Sequence, residues 1–165
     1  MSDEPQVSLM MLTYKRPDLL EKSLQSYHEC HQDYPHKLYL QNNCKTPEVR
    51  EVLEAWRPKL KHLAEIRYND RNLGLSISTN QFWKMADTPY IGKLDSDTTF
   101  APGFIETLHK SMIQVREEDP KYFCLHGRHT NPPAMKKRPG WNFGDDGEVY
   151  PVSYTHLTLP TSFLV

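Results

Sequence analysis

Asp95 and Asp97 are the residues of this sequence most able to do chemistry, because they stand two apart after a short apolar run at residues 90–94. Successive side chains of a strand alternate, so positions i and i+2 point the same way and both carboxylates can converge on one cation. Mg²⁺ or Mn²⁺ suits carboxylate ligands, and substrate phosphates usually complete the shell. The spacing alone leaves open the alternative of two solvated aspartates in a turn.

Two further loops carry residues that suit a phosphorylated ligand. Tyr14 can stack on a base, and Arg16 can pair with a phosphate or hold a carboxylate. Asn72 and Gly74 stand just before a predicted helix, whose N-terminal amides favour anions. Residue type alone also allows both segments to be ordinary surface loops.

Histidines give a weaker signal. His126 and His129 follow the last predicted strand, and two histidines can bind a metal, although no third ligand follows from their spacing. His126 could share an ion with Asp97 if both strands end at the same edge of a sheet; the alternative is a structural or solvated pair. The sequence contains no G-x-S-x-G, Walker A or complete G-x-G-x-x-G motif.

The elements that must position these residues alternate between strand and helix. Short apolar runs predict strands at 7–13, 37–41, 65–68, 90–94 and 121–126. Helical spacing predicts helices that start at Pro17, Pro47, Leu75 and Pro102, with a shorter piece around Leu60 and Leu63. Such alternation predicts an α/β fold with a mostly parallel sheet and helices on both faces. Ligands of such sheets bind beyond the carboxyl ends of the strands, where the candidate residues lie.

Composition narrows the class of protein. The chain has 165 residues, which predicts one domain or a fragment of a larger one, and its 20 basic and 21 acidic residues give a net charge of -1. This balance gives no case for nucleic-acid binding, and no run is long enough for a transmembrane segment. Three cysteines and a polar start, MSDEPQ, favour free thiols and a cytoplasmic location.

Two segments together resemble a family 2 glycosyltransferase of the GT-A fold, a Rossmann-like nucleotide-diphospho-sugar transferase. They are VSLMMLTYKRPDLLEKSLQSY and NDRNLGLSISTNQFWKMADTPYIGKLDSD, and the resemblance covers about residues 5–130. It implies a nucleotide-sugar donor, often a UDP-sugar, a Mn²⁺ or Mg²⁺ cofactor, and a carbohydrate or other hydroxyl as acceptor.

The resemblance also implies roles for individual positions. Asp97 would be the main metal ligand, and Asp95 would face the ribose and the metal. The other implied donor-binding residues are Thr13, Tyr14, Arg16, Asp70, Asn72, Gly74 and Lys93, with Asn80 as a lesser contact. Where the family commonly has a base-holding aspartate, this chain has Asn42 and Asn43, either of which could bond a base without the charge. A preference for uridine is therefore less firmly implied.

The catalytic base is not assigned. In the family it lies well after the D-x-D motif, and the carboxylates available there are Asp145, Asp146 and Glu148, in a turn that a solvated role fits better. The sequence therefore predicts a base beyond this chain. Two other functions stay open: a nucleotidyltransferase, although TYKRPD lacks that class's glycine-rich loop, and a nucleotide-sugar or metal-binding module without turnover.

The end of the chain differs from the rest. Residues 152–165 resemble a translated sequencing-adapter read, which predicts a non-native tail after a GT-A donor-binding portion at residues 1–151 that is incomplete at its C-terminus. The alternative is a genuine terminal strand, because Tyr154, His156 and Leu157 suit a strand.

Overall fold

The protein, seen in a computed structural model, is described over residues 4–30, 33–119, 124–126 and 156–158. Strands and helices alternate from residue 7 to residue 118, as the sequence predicts. In chain order the elements are β1 (Val7–Thr13), α1 (Pro17–Cys30), β2 (Lys37–Asn42), α2 (Pro47–Trp56), a 3₁₀ turn (Arg57–Lys59), β3 (Leu63–Tyr68), α3 (Gly74–Met85), β4 (Tyr90–Asp95), α4 (Phe104–Glu118), β5 (Cys124–His126) and β6 (His156–Thr158).

The strands of the described residues form one sheet in the order β3-β2-β1-β4-β6-β5. β1 pairs in parallel with β2 and β4, and β2 pairs in parallel with β3. β6 is antiparallel to both β4 and β5. The predicted mostly parallel α/β sheet is thus confirmed, and it brings the carboxyl ends of β1 to β4 to one edge.

Helices cover both faces of the sheet, because the side chains of its strands alternate between two cores. On one face, Leu9 of β1 belongs to a core shared with Leu24 of α1, Leu53 of α2 and Met112 of α4. On the other face, the next residue of β1, Met10, packs with Phe82 of α3. No helix in the described part of the chain is long and apolar enough to cross a membrane.

Two predicted boundaries were wrong. The helical piece expected around Leu60 and Leu63 is absent: Leu60 is extended and buried, a turn follows it, and β3 already begins at Leu63. Leu60 follows a proline-containing 3₁₀ turn, and its apolar side chain is already buried in the core there, so no helix is needed to remove it from water. The helix expected from Pro102 begins at Phe104, because Gly103 takes a left-handed backbone with φ 72° and turns the chain first.

The end of the chain is described only at β6. This strand lies inside residues 152–165 and pairs with β4 at Ile91 and Gly92, so a strand of the kind the alternative reading expected forms there. The origin of the segment stays a prediction. The predicted boundary between residues 151 and 152 lies outside the described residues.

Candidate donor and metal site

The loop after β1 has an unusual backbone. Thr13 is buried at the end of β1, and its hydroxyl lies 3.4 Å from Oδ1 of Asn42. Lys15 and Arg16 both take left-handed backbone, with φ of 57° and 50°. This conformation costs a non-glycine residue about 1–2 kcal/mol. The turn is held in part by the Lys15 N–H, which lies 3.5 Å from Sγ of Cys44.

Two buried asparagines with different partners stand where β2 ends and its loop begins. Oδ1 of Asn42 accepts the backbone N–H of Cys44 at 3.0 Å, so this side chain shapes its own loop. Nδ2 of Asn43 donates to Ser78 Oγ at 3.0 Å and to the Gly74 carbonyl at 3.3 Å. Asn43 therefore ties the loop after β2 to the first turns of α3.

The loop after β3 is anchored at both ends. Asn69 donates its backbone N–H to the Asn42 carbonyl at 2.9 Å. Near the other end, Oδ1 of Asn72 accepts the N–H of Gly74 at 2.9 Å. Gly74 has φ 74°, so a side chain there would be strained although the space beside it is open. Asp70 is exposed between these anchors.

The predicted carboxylates lie at the end of β4, each beside a cation of the chain. Lys93 and Asp95 stand two apart on β4 and form a partly buried ion pair. Asp97 lies in the following turn, where its Oδ2 accepts a hydrogen bond from Nη2 of Arg16 at 2.7 Å. The fold thus joins the loop after β1 to the turn after β4 across 81 residues of sequence.

A cleft of about 520 Å³ opens beside these loops. This volume falls in the range of small-molecule sites. Its lining residues are Tyr14, Lys15, Asn43, Cys44, Lys45, Thr46, Pro47, Arg71 and Asn72. This set contains three cations and no acid, so the cleft suits an anionic ligand. Tyr14 leaves 43% of its surface exposed, and an aromatic ring so placed can stack on a base.

Apart from Asp70 and Asn80, the predicted donor residues fall into three groups. Tyr14, Asn43 and Asn72 line the cleft. Thr13, Asn42 and Gly74 shape the loops around it. The structure gathers Arg16, Lys93 and Asp95 at the end of β4 with Asp97, and Asp70 is not among the cleft's lining residues.

Six lining residues were not among the predicted site residues. They are Lys15, Cys44, Lys45, Thr46, Pro47 and Arg71. All follow the ends of β1, β2 or β3, where the rule that ligands bind beyond strand ends places a site. Their types gave no signal, because lysine, arginine, threonine and proline are ordinary loop residues and a lone cysteine does not indicate a ligand.

The described residues contain no group of three His, Cys, Asp or Glu side chains arranged to hold a metal ion. Asp95 and Asp97 still fit a hard cation, since two carboxylates are enough when substrate phosphates supply further ligands. In the sheet, Gly92 of β4, Leu157 of β6 and Leu125 of β5 lie side by side. His126 follows Leu125, so its backbone lies level with Lys93, two residues before Asp95 along β4. Its metal role stays a prediction, and Asp145 and Asp146 lie outside the described residues.

Comparison with known proteins gives a consistent picture. Residues 8–150 match the family described as Glycosyl transferase family 2. An uncharacterized glycosyltransferase of Methanocaldococcus jannaschii, MJ1057, is 33% identical over 99% of this chain and 56% of its own length. The putative teichuronic acid biosynthesis glycosyltransferase TuaG of Bacillus subtilis is 24% identical over 67% of this chain and 43% of its own. The chain thus spans about half the length of these relatives.

Solved structures agree on the fold. The mannosyltransferase PcManGT of Pyrobaculum calidifontis, in complex with GDP-Man and Mn²⁺, has a TM-score of 0.66 at 18% identity, over 98% of this chain and 46% of that one. S. aureus TarS 1-349, in complex with UDP-GlcNAc, has a TM-score of 0.63 at 18% identity, over 94% and 46%. Because the family match extends over residues 8–150, most of the chain, this chain belongs to glycosyl transferase family 2.

Proposed function

We propose that the protein transfers a sugar from a nucleotide-diphosphate sugar, with a UDP-sugar as the favoured donor, to an acceptor hydroxyl, with Mn²⁺ or Mg²⁺ as cofactor. One observation supports this proposal: the carboxylates of Asp95 and Asp97, at the end of β4, share an edge of the sheet with a cationic cleft lined by the ring of Tyr14. Family membership favours glycosyl transfer over the nucleotidyl transfer that the sequence left open.

The cleft supplies the features that a nucleotide donor needs. Tyr14 offers a face for the base, and Lys15, Lys45 and Arg71 offer positive charge for the diphosphate. Asn43 is buried and bonded to α3, so a base beside it would meet a fixed amide without a negative charge. TarS is in complex with a UDP-sugar and PcManGT with a GDP-sugar, so both nucleotides belong in the test.

The carboxylates of Asp95 and Asp97 would hold the cation, with the donor's phosphates as further ligands. The chemistry a bound cation supplies is Lewis-acid stabilisation of the charge that grows on the leaving diphosphate. Lys93 keeps Asp95 oriented, because the lysine is 9% exposed and its ammonium has little freedom to leave the pair.

The acceptor side of the reaction remains a prediction. An inverting transferase needs a carboxylate to take the proton of the attacking hydroxyl, and none of the described residues is assigned to that role. The free thiols of Cys30 and Cys44 support the predicted cytoplasmic location, since sparse unpaired cysteines are typical of reducing compartments.

A thermal-shift experiment tests the proposal directly. UDP and GDP are added separately, each with and without Mn²⁺, to the wild-type chain, to Asp97→Ala and to the matched control Asp33→Ala, an exposed aspartate remote from β4 in sequence. We expect nucleotide to raise the Tm only with Mn²⁺, the shift to vanish in Asp97→Ala, and Asp33→Ala to behave as wild type. A wild-type Tm that no nucleotide moves in Mn²⁺ would overturn the proposal.

A further inference from the structure

Arg16 is placed where it competes with a cation for Asp97. Its Nη2 lies 2.7 Å from Oδ2 of Asp97, the aspartate proposed as the main metal ligand. An Arg–carboxylate bond of this length is charge-assisted and ties up acceptor capacity that a metal would need. Arg16 sits on strained left-handed backbone next to Lys15, so the loop holds this arrangement at a conformational cost.

The two ion pairs at the end of β4 differ in how freely they can break. In the Lys93–Asp95 pair, the side chains are 11% and 24% exposed. In the Arg16–Asp97 pair, they are 61% and 37% exposed. Lys93 is enclosed by the fold and cannot move far, whereas Arg16 reaches Asp97 from solvent and can swing away. Asp97 is therefore the carboxylate with the removable partner.

The summed charge of the two ion pairs determines when Arg16 can leave Asp97. The four side chains Lys93, Asp95, Arg16 and Asp97 sum to zero formal charge. A divalent cation added alone would leave the group doubly positive, which Coulomb repulsion disfavours at short range. A cation added together with a negatively charged diphosphate restores neutrality, and Arg16 released from Asp97 then has a phosphate to bind.

We propose that Arg16 is a built-in counter-ion of the metal site, which neutralises Asp97 in the absence of donor and transfers to the donor diphosphate when the divalent cation binds. This inference rests on the proposed function. It adds a specific behaviour: Arg16 weakens binding of the cation alone and strengthens binding of the cation–nucleotide pair. The residue thereby couples the two ligands of the site.

The test measures Mn²⁺ binding by electron paramagnetic resonance, without nucleotide and with saturating UDP or GDP. Arg16→Gln removes the charge, Arg16→Lys keeps it, and Arg16→Asn removes it with a residue that tolerates left-handed backbone. Without nucleotide, we expect Arg16→Gln and Arg16→Asn to bind Mn²⁺ roughly two- to fivefold tighter than wild type, as for loss of an exposed ion pair. Adding nucleotide should raise the Mn²⁺ affinity of Arg16→Gln and Arg16→Asn by a smaller factor than it raises that of wild type. The factor for Arg16→Lys should lie between those of wild type and the neutral variants.

Two controls separate this inference from the proposed function. Arg57→Gln breaks an exposed ion pair between the 3₁₀ turn and Glu54 of α2, and it should leave Mn²⁺ binding unchanged. If Asp97→Ala binds Mn²⁺ as well as wild type, the proposed metal site itself is wrong. If Asp97→Ala loses Mn²⁺ but both neutral Arg16 variants bind Mn²⁺ alone no tighter than wild type, or not at all, the counter-ion role is overturned and the metal site stands.

Discussion

Oγ of Ser78 lies 3.0 Å from Nδ2 and 3.2 Å from Oδ1 of Asn43, so one hydroxyl meets both ends of a buried amide. Asn43 is 1% exposed and Ser78 is fully buried. Ser78 belongs to α3 on one face of the sheet, whereas Asn43 directly follows β2 and lines the cleft. This pair therefore fixes the helix against the loop that forms the cleft wall.

We expect Ser78→Ala to destabilise the fold by about 0.5–1.5 kcal/mol, because it removes one hydrogen-bond partner from a buried amide whose Nδ2 keeps the Gly74 carbonyl. Urea unfolding at neutral pH measures the loss. Ser76→Ala, at an exposed position of the same helix, is the matched control and should change stability by less than about 0.5 kcal/mol. Equal stability of the two variants would mean that the buried pair contributes nothing.

Glu54 contributes to the acid stability of the chain through a surface cluster with Arg57 and Tyr68. Hydrogen bonds from Arg57 at 2.7 Å and from the Tyr68 hydroxyl at 2.6 Å lower the pKa of Glu54 to about 2. A carboxyl with a lowered folded pKa contributes stability above its ordinary pKa of 4.5, and this stability is lost as the pH falls towards 2.

We therefore expect Glu54→Gln to be less stable than wild type at pH 6 and to approach it below about pH 3. Thermal unfolding across this range, at low and high salt, measures the difference, which salt should reduce because the cluster is exposed. Glu51→Gln, elsewhere on the same helix, serves as control. A deficit that stays constant with pH would contradict the assignment.

The architecture could be predicted because its signals are local. Pro17 and Pro47 start α1 and α2 where a missing N–H costs nothing, and the apolar run at residues 7–13 is a strand buried on both faces. The motif Asp95-x-Asp97 indicates a metal site because a short apolar strand leads directly into it. Alternation of such elements was enough to place the candidate residues at one edge of the sheet.

The site's own contacts could not be predicted, because they depend on tertiary placement. Nothing local indicates that Arg16 meets Asp97, since the two are 81 positions apart. Lys15 and Arg16 take left-handed backbone, although neither is a glycine or an asparagine, the residue types that would predict it. The spacing of Leu60 and Leu63 predicts a short helix, yet Leu63 pairs with Leu38 in the sheet instead.

His109 should make stability fall in mild acid. Nδ1 of this histidine shares a hydrogen bond of 2.5 Å with the Tyr34 hydroxyl, and Nε2 is buried with no partner among the described residues. Burial lowers the pKa of His109 below its ordinary value of 6.5. Its neutral form therefore contributes stability that is complete above pH 6.5 and is lost as the pH falls towards the folded pKa.

We expect the wild-type free energy of unfolding to drop between pH 7 and pH 5 by more than that of His109→Asn, with one linked proton worth at most about 1.4 kcal/mol per pH unit. Asparagine keeps a polar group near the Nδ1 position and does not titrate. Urea unfolding at half-unit pH steps measures both slopes. If the free energy of unfolding falls with pH at the same rate in both proteins, the fold does not lower the pKa of His109.

Gly103 sets the start of α4 through its backbone alone. It has φ 72°, and a Cβ built on it would meet nothing within 4 Å. The cost of Gly103→Ala is therefore pure backbone strain without a clash, which we expect to be about 1–2 kcal/mol in urea unfolding. Gly103→Asn should lose less, because asparagine visits left-handed backbone more readily than alanine does. Asparagine has the larger side chain, so a steric cause would reverse this order. If alanine proves the better tolerated of the two, the helix start is limited by space and not by the left-handed turn.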